Sequence, residues 1–151
     1  MASKITLIPS NPVELSNFMA WEQHPDAAEY VTQNSLKEHL AAFFDPAISY
    51  LTIENEGKPA GFVLLADDPD RLSVELRRIV VHNRAIGIGQ VAIDLVEAYI
   101  REQTSRQRIW LDVFDNNHRA LHIYRKKGYV EFGTDTYKDG RPLLLFEKVL
   151  V

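Results

Sequence analysis

The segment Arg84-Ala85-Ile86-Gly87-Ile88-Gly89 joins an apolar stretch to a stretch with helical periodicity, and its residue types could bind an anion. The first turn of a helix has backbone N–H groups without intrahelical partners and carries the positive end of the helix dipole, so it attracts phosphate. Glycines let the backbone approach the anion, and Arg84 adds a full charge. A tight turn with a capping glycine is the alternative, because the segment lacks the third glycine of a dinucleotide fingerprint and the Gly-Lys-Ser/Thr of a P-loop.

Few other residues stand in a pattern with chemical meaning. Glu75 is an acidic residue in an otherwise apolar strand, and it is either a candidate base or the partner of Arg77 in an ion pair. His118 and His122 are four residues apart on a predicted helix, but no third ligand stands at a suitable spacing, so we predict exposed side chains and no metal site. The absence of cysteine excludes disulfides, thiolate metal sites and a cysteine nucleophile.

Length and composition indicate one globular domain. The chain has 151 residues, of which 46% are hydrophobic and 25% are charged, and this is enough to bury a sizeable core. No apolar run approaches the ~20 residues of a spanning helix, and the N-terminus lacks the apolar core of a signal peptide. No run of like charge indicates a nucleic-acid-binding arm. We therefore expect a cytoplasmic protein with no membrane or nucleic-acid partner.

The charge is distributed unevenly along the chain. Residues 1–70 carry 3 basic and 11 acidic groups, whereas residues 71–151 carry 14 basic and 10 acidic groups. A basic part suits a phosphorylated ligand and an acidic part suits a cationic one. Solvated helix faces of different charge would produce the same counts.

The candidate residues must be positioned by a mixture of strands and helices. Apolar runs and alternation predict strands over residues 4–8, 50–54, 60–66, 73–81, 109–114, 129–132 and 143–149. Helices are predicted after the caps Asn11 and Ser35, after Gly89, and from Asn116 or Asn117 to Lys127.

For two of these elements the sequence also predicts how they pack. The helix after Ser35 is expected to bury an apolar stripe, which consists of Leu36, Leu40, Phe43 and Phe44. The apolar residues 143–146 are expected to form an internal strand or to pair with a second copy of the chain in a homodimer.

Two segments together resemble the GNAT superfamily of acyl-CoA N-acyltransferases. The strand–loop–helix at residues 74–101 is similar to the family's Gln/Arg-x-x-Gly-x-Gly/Ala pyrophosphate loop after an apolar strand. The segment Asn117-His118-Arg119-Ala120 is similar to its Asn-x-x-Ala motif, followed by Tyr124 and then Gly128-Tyr129 at the family's spacing. The matched segments cover roughly residues 74–132. Glu75-Leu76-Arg77-Arg78-Ile79 and Trp21 more loosely resemble the branch of ribosomal-protein, N-terminal and polyamine acetyltransferases.

The resemblance implies an α+β fold in one domain over residues 1–151, with a mixed, mostly antiparallel sheet and helices on both faces. A splayed pair of parallel strands, here 74–81 and 109–114, would admit the CoA arm. Residues 1–70 would form the acceptor side, and residues 71–151 the acetyl-CoA side.

The resemblance also implies which residues bind acetyl-CoA, the cosubstrate. Pantetheine and the thioester carbonyl would pair with the backbone of Ile79, Val80 and Val81. The pyrophosphate would bind the backbone amides of Arg84, Ala85, Ile86, Gly87, Ile88, Gly89 and Gln90. Asn117 would bond the CoA arm, and Ala120 would leave room for it.

Three residues are the candidate catalytic groups. Tyr124 stands at the family's general-acid position, although a core aromatic on the same helix is the alternative. Asp112 stands where related enzymes carry a Glu base, and its side chain is shorter. Glu75 is the other candidate base, and the sequence does not rank the two.

The sequence therefore predicts an N-acetyltransferase that moves an acetyl group from acetyl-CoA to a primary amine by direct attack on the thioester. The amine belongs to a protein N-terminus, a polyamine or another small molecule, and the acidic first part favours a cationic acceptor. The aromatic residues Trp21, Tyr30, Phe43 and Phe44 are candidate walls of the acceptor pocket, or core residues. The alternative function is a non-catalytic acyl-CoA-binding or regulatory module, against which Tyr124 and the two candidate bases argue.

Overall fold

The computed structural model describes residues 4–82 and 87–150, and for Asp26 the backbone only. Arg84, Ala85 and Ile86, three of the predicted anion-binding residues, lie outside the described residues.

The described residues form one seven-stranded sheet with the order β1-β2-β3-β4-β5-β7-β6. The strands are β1 (Ile5–Pro9), β2 (Ile48–Asn55), β3 (Lys58–Asp67), β4 (Ser73–Val81), β5 (Arg108–Phe114), β6 (Val130–Thr136) and β7 (Pro142–Val149). Neighbouring strands are antiparallel except β4 and β5, which are parallel. The predicted mixed, mostly antiparallel sheet is confirmed.

The parallel strands β4 and β5 pair over only part of their length. Their register includes Ser73 with Arg108 and ends at Glu75 with Trp110, although both strands continue beyond these positions. On its other side β4 pairs with β3, and the register of this pairing shifts within β4 between Leu76 and Arg78. Such a bulge adds local twist to a strand. The two strands therefore splay apart, and the backbone groups that face the gap have no partner strand.

Helices form where the sequence supplies caps. They are α1 (Leu15–Gln23), α2 (Pro25–Ala28), α3 (Leu36–Phe43), α4 (Ile88–Gln103) and α5 (His118–Lys126), with a 3-10 turn at Pro12–Glu14 before α1. Asn11 and Ser35 each form a capping box with the Glu three residues later, as predicted. Asn117 caps α5 by accepting a hydrogen bond from the backbone N–H of Ala120, at 3.3 Å.

The two faces of the sheet bury separate hydrophobic clusters. The larger cluster includes residues of α4 and α5, among them Val96, Ile100 and Leu121. The smaller cluster packs Leu15 and Phe18 of α1 against the opposite face, with partly buried residues of α2 and α3 around them. Helices therefore cover both faces of the sheet, as expected.

The predicted apolar stripe of α3 is wrong for most of its residues. Leu36 and Leu40 are 40% and 38% exposed, and Phe44 is 71% exposed. The fully buried residue of α3 is the polar His39. Both of its ring nitrogens find hydrogen-bond partners, so the helix turns this face inward without leaving a buried polar group unpaired.

The apolar strand at residues 143–146 is internal. It belongs to β7, which pairs with β5 on one side and β6 on the other. Both edges of β7 are therefore satisfied within the chain, and this strand is not available to pair with a second copy.

Candidate active site

The start of α4 has the features of an anion site. Its N-cap is Gly87, whose φ of 87° lies in the left-handed region that favours glycine, and no side chain caps the first turn. The first turn contains no acidic residue. The backbone N–H groups at Gly89 and Gln90 therefore lack both an intrahelical partner and a competing carboxylate on the helix.

A cavity of about 480 Å³ opens beside this helix start, and we call it the loop-side cavity. Its walls contain nine of the residues that the family resemblance assigns to acetyl-CoA binding or catalysis: Ile79, Val80, Val81, Gly87, Gly89, Gln90, Asn117, Ala120 and Tyr124. Ile88 is 3% exposed and belongs to the hydrophobic core, so its side chain does not line the cavity. The structure thus brings the helix start, the end of β4 and the start of α5 together.

A second cavity of about 450 Å³ lies on the carboxylate side of the splayed strands, and we call it the carboxylate-side cavity. Glu75 and Asp112 line it, together with Arg77 and Arg78. The two cavities share Tyr30, Val31, Ile79, Asn117, Ala120 and Tyr124. Both of the predicted base candidates therefore lie in one cavity, adjacent to the loop-side cavity.

Tyr124 stands where the two cavities meet. Its side chain is largely buried, and its ring packs edge-on against Tyr129, with centroids 5.6 Å apart. Among the described residues its hydroxyl has no hydrogen-bond partner. Burial, with the negative charge of Asp112 adding to it, raises the pKa of the Tyr124 hydroxyl well above its usual value. The hydroxyl therefore keeps its proton and can donate it to a group in the cavities.

The two carboxylates of the carboxylate-side cavity have different surroundings. Glu75 accepts two hydrogen bonds from the Arg77 guanidinium, at 3.1 and 3.0 Å, which is the ion pair considered in the sequence analysis. Asp112 has no hydrogen bond or ion pair within the described part of the chain. Asp112 is exposed in β5, yet partial loss of its surrounding water is the main cause that raises its pKa, and the charges of Glu75 and Asp135 raise it further. Asp112 is the unpaired carboxylate of this cavity.

Asp112→Asn is expected to raise the melting temperature at neutral pH. The pKa of Asp112 is higher in the folded chain than in the unfolded chain, so its contribution to stability is lost as pH rises through the raised pKa. Asn carries no charge and avoids this loss. Thermal unfolding at pH 7 and below the usual Asp pKa of about 3.9 checks the effect. A stability difference of equal size at both pH values would contradict the electrostatic explanation.

Several other candidates lie away from the cavities. Trp21 stacks on His82, with centroids 5.0 Å apart, and it lines neither cavity. Phe43 and Phe44 also stay outside, so Tyr30 alone of the four aromatic candidates forms a wall. Of the two histidines, both of which are exposed, His118 lines the loop-side cavity and His122 lines neither cavity. The described residues contain no group of three side chains that could hold a metal ion.

No motif or spacing predicted part of the wall of the carboxylate-side cavity. Thr32, from the connection between α2 and α3, contacts the Tyr137 hydroxyl at 3.1 Å, and both residues line this cavity. Arg141 donates a hydrogen bond to the backbone carbonyl of Glu29 at 2.7 Å. These residues are about a hundred positions apart, and only the return of the β6–β7 hairpin brings them together.

Each cavity draws on both parts of the chain. Ala27, Tyr30 and Val31 contribute to the loop-side cavity, and Glu75 and Asp112 contribute to the carboxylate-side cavity. The division into an acceptor side at residues 1–70 and an acetyl-CoA side at 71–151 stays a prediction.

Within the described residues, no helix is long and apolar enough to cross a membrane.

Comparison with known protein families gives a match over most of the chain. The profile of the acetyltransferase (GNAT) family matches residues 14–129. An uncharacterized N-acetyltransferase of Mycobacterium tuberculosis is 29% identical over 115 residues, which cover 75% of this chain and 73% of that protein. Streptothricin acetyltransferase of Streptomyces lavendulae is 28% identical over 90 residues, or 58% of this chain and 47% of that protein.

Solved structures share the fold at lower sequence identity. Spermidine N-acetyltransferase from Vibrio cholerae, in complex with CoA and spermine, superposes with a TM-score of 0.82 and 20% identity over 97% of this chain and 95% of that chain. The Salmonella typhimurium acetyltransferase that modifies the N-terminal serine of ribosomal protein L7/L12 superposes with a TM-score of 0.80 and 10% identity, over 99% and 97% of the two chains.

Proposed function

Because this chain belongs to the GNAT family and is an acetyl-CoA-dependent N-acetyltransferase, we propose that its acceptor is a cationic primary amine of the polyamine type. The observation that carries this proposal is the charge of the carboxylate-side cavity. Three of its four charged residues are paired, since Glu75 binds Arg77 and Arg78 binds Glu22. Asp112 remains, and it is negative when ionised. A second ammonium group on the acceptor would complement this charge.

The similar structures include enzymes of two acceptor classes. The Vibrio cholerae spermidine N-acetyltransferase shares the fold over nearly the whole chain, and its structure contains spermine and CoA. The L7/L12 enzyme, which acts on a protein N-terminus, shares the fold equally well. The unpaired Asp112 is therefore what favours a polyamine over a neutral peptide end.

Acetyl-CoA, held in the loop-side cavity, supplies an activated acyl thioester. The free backbone N–H groups at Gly89 and Gln90 would hold its pyrophosphate at the positive end of α4. β3 pairs with one edge of β4 at Ile79 to Val81, but β5 does not pair with the other edge there. The backbone groups on that free edge would pair with the amide groups of the CoA arm. Arg84, Ala85 and Ile86 belong to the same proposal and lie outside the described residues. Ala120, with its small side chain, leaves the gap open.

The proton transfers are assigned to Asp112 and Tyr124. Asp112 accepts the proton that the amine nitrogen loses as the new N–C bond forms. Tyr124 donates its proton to the sulfur as the C–S bond breaks and negative charge develops there. Both groups line the carboxylate-side cavity and neither has another partner among the described residues. Glu75, engaged by Arg77, orients that cavity wall and is not the base.

Release of free CoA with a panel of amines tests the acceptor. The panel contains spermidine, a monoamine of similar length, an amino acid and a peptide with a free N-terminus. We expect the highest kcat/KM for spermidine and the lowest for the amino acid, whose carboxylate Asp112 would repel. A preference for the amino acid would overturn the proposal. Tight binding of acetyl-CoA with no release for any amine would favour a non-catalytic acyl-CoA-binding module.

Gly89→Val is expected to weaken CoA binding while the chain still folds. A Cβ at this position would meet only a Val81 methyl group, at the ordinary contact distance of 3.8 Å, so the protein itself has room for it. A branched side chain would nevertheless hold the pyrophosphate away from the helix start. We expect CoA affinity to fall on the order of tenfold, or about 1.4 kcal/mol. Calorimetric titration of CoA measures it, and unchanged affinity in a folded variant would remove this helix start from the site.

A further inference from the structure

A buried polar network lies under the carboxylate-side cavity. Glu22, at the end of α1, is fully buried, and one of its carboxylate oxygens accepts a hydrogen bond from the Arg78 guanidinium. Its other oxygen, Oε1, lies 2.8 Å from His39 Nε2 and accepts a hydrogen bond from the backbone N–H of Asn34 at 3.1 Å. The Tyr50 hydroxyl lies 2.7 Å from His39 Nδ1. Glu22 thus joins α1, α3, β4 and the connection between α2 and α3.

The direction of each hydrogen bond follows from the chemistry of the groups. Burial raises the pKa of the Tyr50 hydroxyl to about 12, so Tyr50 keeps its proton. We assign this proton to the bond with His39 Nδ1 at 2.7 Å, because the other acceptor, the His39 carbonyl, is farther away at 3.5 Å. His39 then carries its ring proton on Nε2 and donates it to Glu22. Glu22 then accepts every hydrogen bond that it makes, and it forms an ion pair with the Arg78 guanidinium. The network is therefore fully paired with one carboxylate at its centre.

The backbone bond to Asn34 links this network to the carboxylate-side cavity. Tyr30, Val31, Thr32 and Asn34 all line that cavity, and they follow one another along residues 30–34. Three other side-chain bonds hold this part of the chain: a part-buried contact between the Thr32 and Tyr137 hydroxyls, and exposed bonds from Gln33 to the Ala28 carbonyl and from Arg141 to the Glu29 carbonyl. A hydrogen bond to a fully buried, charged acceptor contributes more than neutral or exposed bonds of these kinds. Glu22 is the buried attachment point of the segment.

We propose that Glu22 is a positioning residue that sets amine binding by holding the cavity wall at residues 30–34 against β4. The proposal rests on the proposed acceptor site. Glu22 does not line either cavity, so it acts through Asn34 and Arg78. A wall released from Glu22 would move relative to Asp112 and Tyr124, and small displacements of a binding wall weaken the productive placement of a substrate.

Glu22→Gln tests the proposal in two independent ways. Hydrogen exchange of the backbone amides should be faster over residues 30–34, because the neutral Gln is a weaker acceptor for the Asn34 N–H. Steady-state kinetics with spermidine should show the amine KM raised on the order of tenfold, with kcat and the dissociation constant of CoA changed less than about twofold. Glu22→Asp keeps the charge opposite Arg78 and shortens the side chain, so it replaces Glu22→Gln if that variant does not fold.

Glu97→Gln is the matched control. Glu97 is also a buried carboxylate, and it accepts hydrogen bonds from the Tyr129 hydroxyl at 2.9 Å and the Lys148 ammonium at 2.8 Å. It lines neither cavity. Its loss should lower stability as the loss of Glu22 does, without a change in amine KM.

Two results would overturn the positioning role. One is unchanged exchange over residues 30–34 in the Glu22 variants, and the other is a rise in amine KM of equal size in Glu97→Gln. Hydrogen exchange needs no substrate, so it separates this inference from the proposed function. Faster exchange in Glu22→Gln, with no turnover of any amine by the unaltered chain, would reject the acceptor proposal and keep Glu22 as the anchor of the segment.

Discussion

Tyr124→Phe is expected to lower the maximal rate of acetyl transfer ~10²-fold, the lower end of the usual range for loss of acid–base assistance. The thiolate is a fair leaving group, so the larger losses of that range are not expected. The ring remains, with its packing against Tyr129. The hydroxyl has no partner in the described part of the chain, so its removal leaves no buried group unpaired and stability should change little.

The loss should appear in kcat and not in the affinity for acetyl-CoA, because the hydroxyl matters most as charge develops on sulfur. Stopped-flow or quenched-flow measurement of the chemical step, with calorimetric titration of CoA on the same preparation, separates the two quantities. Tyr129→Phe is a matched control that removes a neighbouring hydroxyl bound to Glu97. An unchanged chemical step in Tyr124→Phe would reject the acid role and leave positioning as the main source of catalysis.

Asp112→Asn is expected to lower kcat/KM for the amine on the order of 10²-fold near pH 7, because it removes the base and the unpaired negative charge of the cavity. In the unaltered chain the acid limb of the pH profile reports ionisation of the base. The raised pKa of Asp112 places that limb at higher pH than an ordinary Asp would, and activity falls as pH falls through it. In Asp112→Asn this limb should disappear.

Two further carboxylates serve as controls for Asp112. Asp135 raises the pKa of Asp112 and lines neither cavity, so Asp135→Asn should move the acid limb to lower pH and keep most of the activity. Glu75→Gln should lower kcat/KM for the amine less than Asp112→Asn does, because the Glu75 carboxylate already forms an ion pair with Arg77. A larger loss in Glu75→Gln, with the acid limb intact in Asp112→Asn, would transfer the role of base to Glu75.

Much of the local structure follows from short stretches of sequence. The capping boxes at Asn11 and Ser35 are correct because each depends on residues within a single turn. The helix predicted after Gly89 begins two residues earlier, at Ile88, with Gly87 as its N-cap. The strand at Ser73–Val81 is correct because it ends in the continuous β-branched run Ile79-Val80-Val81 and carries a further β-branched residue at Val74. The face that α3 buries could not be predicted in this way. Hydrophobic periodicity places apolar residues inside, whereas the buried residue of α3 is a histidine whose two hydrogen-bond partners come from other elements.

The sequence by itself determined the GNAT resemblance, and motif spacing predicted the acetyl-CoA residues, the candidate acid Tyr124 and the candidate base Asp112. Glu75 was predicted as a second candidate base because it is an acidic residue in a predicted strand. Only the tertiary structure decided how those groups differ. It paired Glu75 with Arg77 and Arg78 with Glu22, and it left Asp112 and the Tyr124 hydroxyl without partners among the described residues. It also attached the wall at residues 30–34 to Glu22. Charge pairing and burial depend on distances between strands and helices that are far apart along the chain, and residue types alone do not contain those distances.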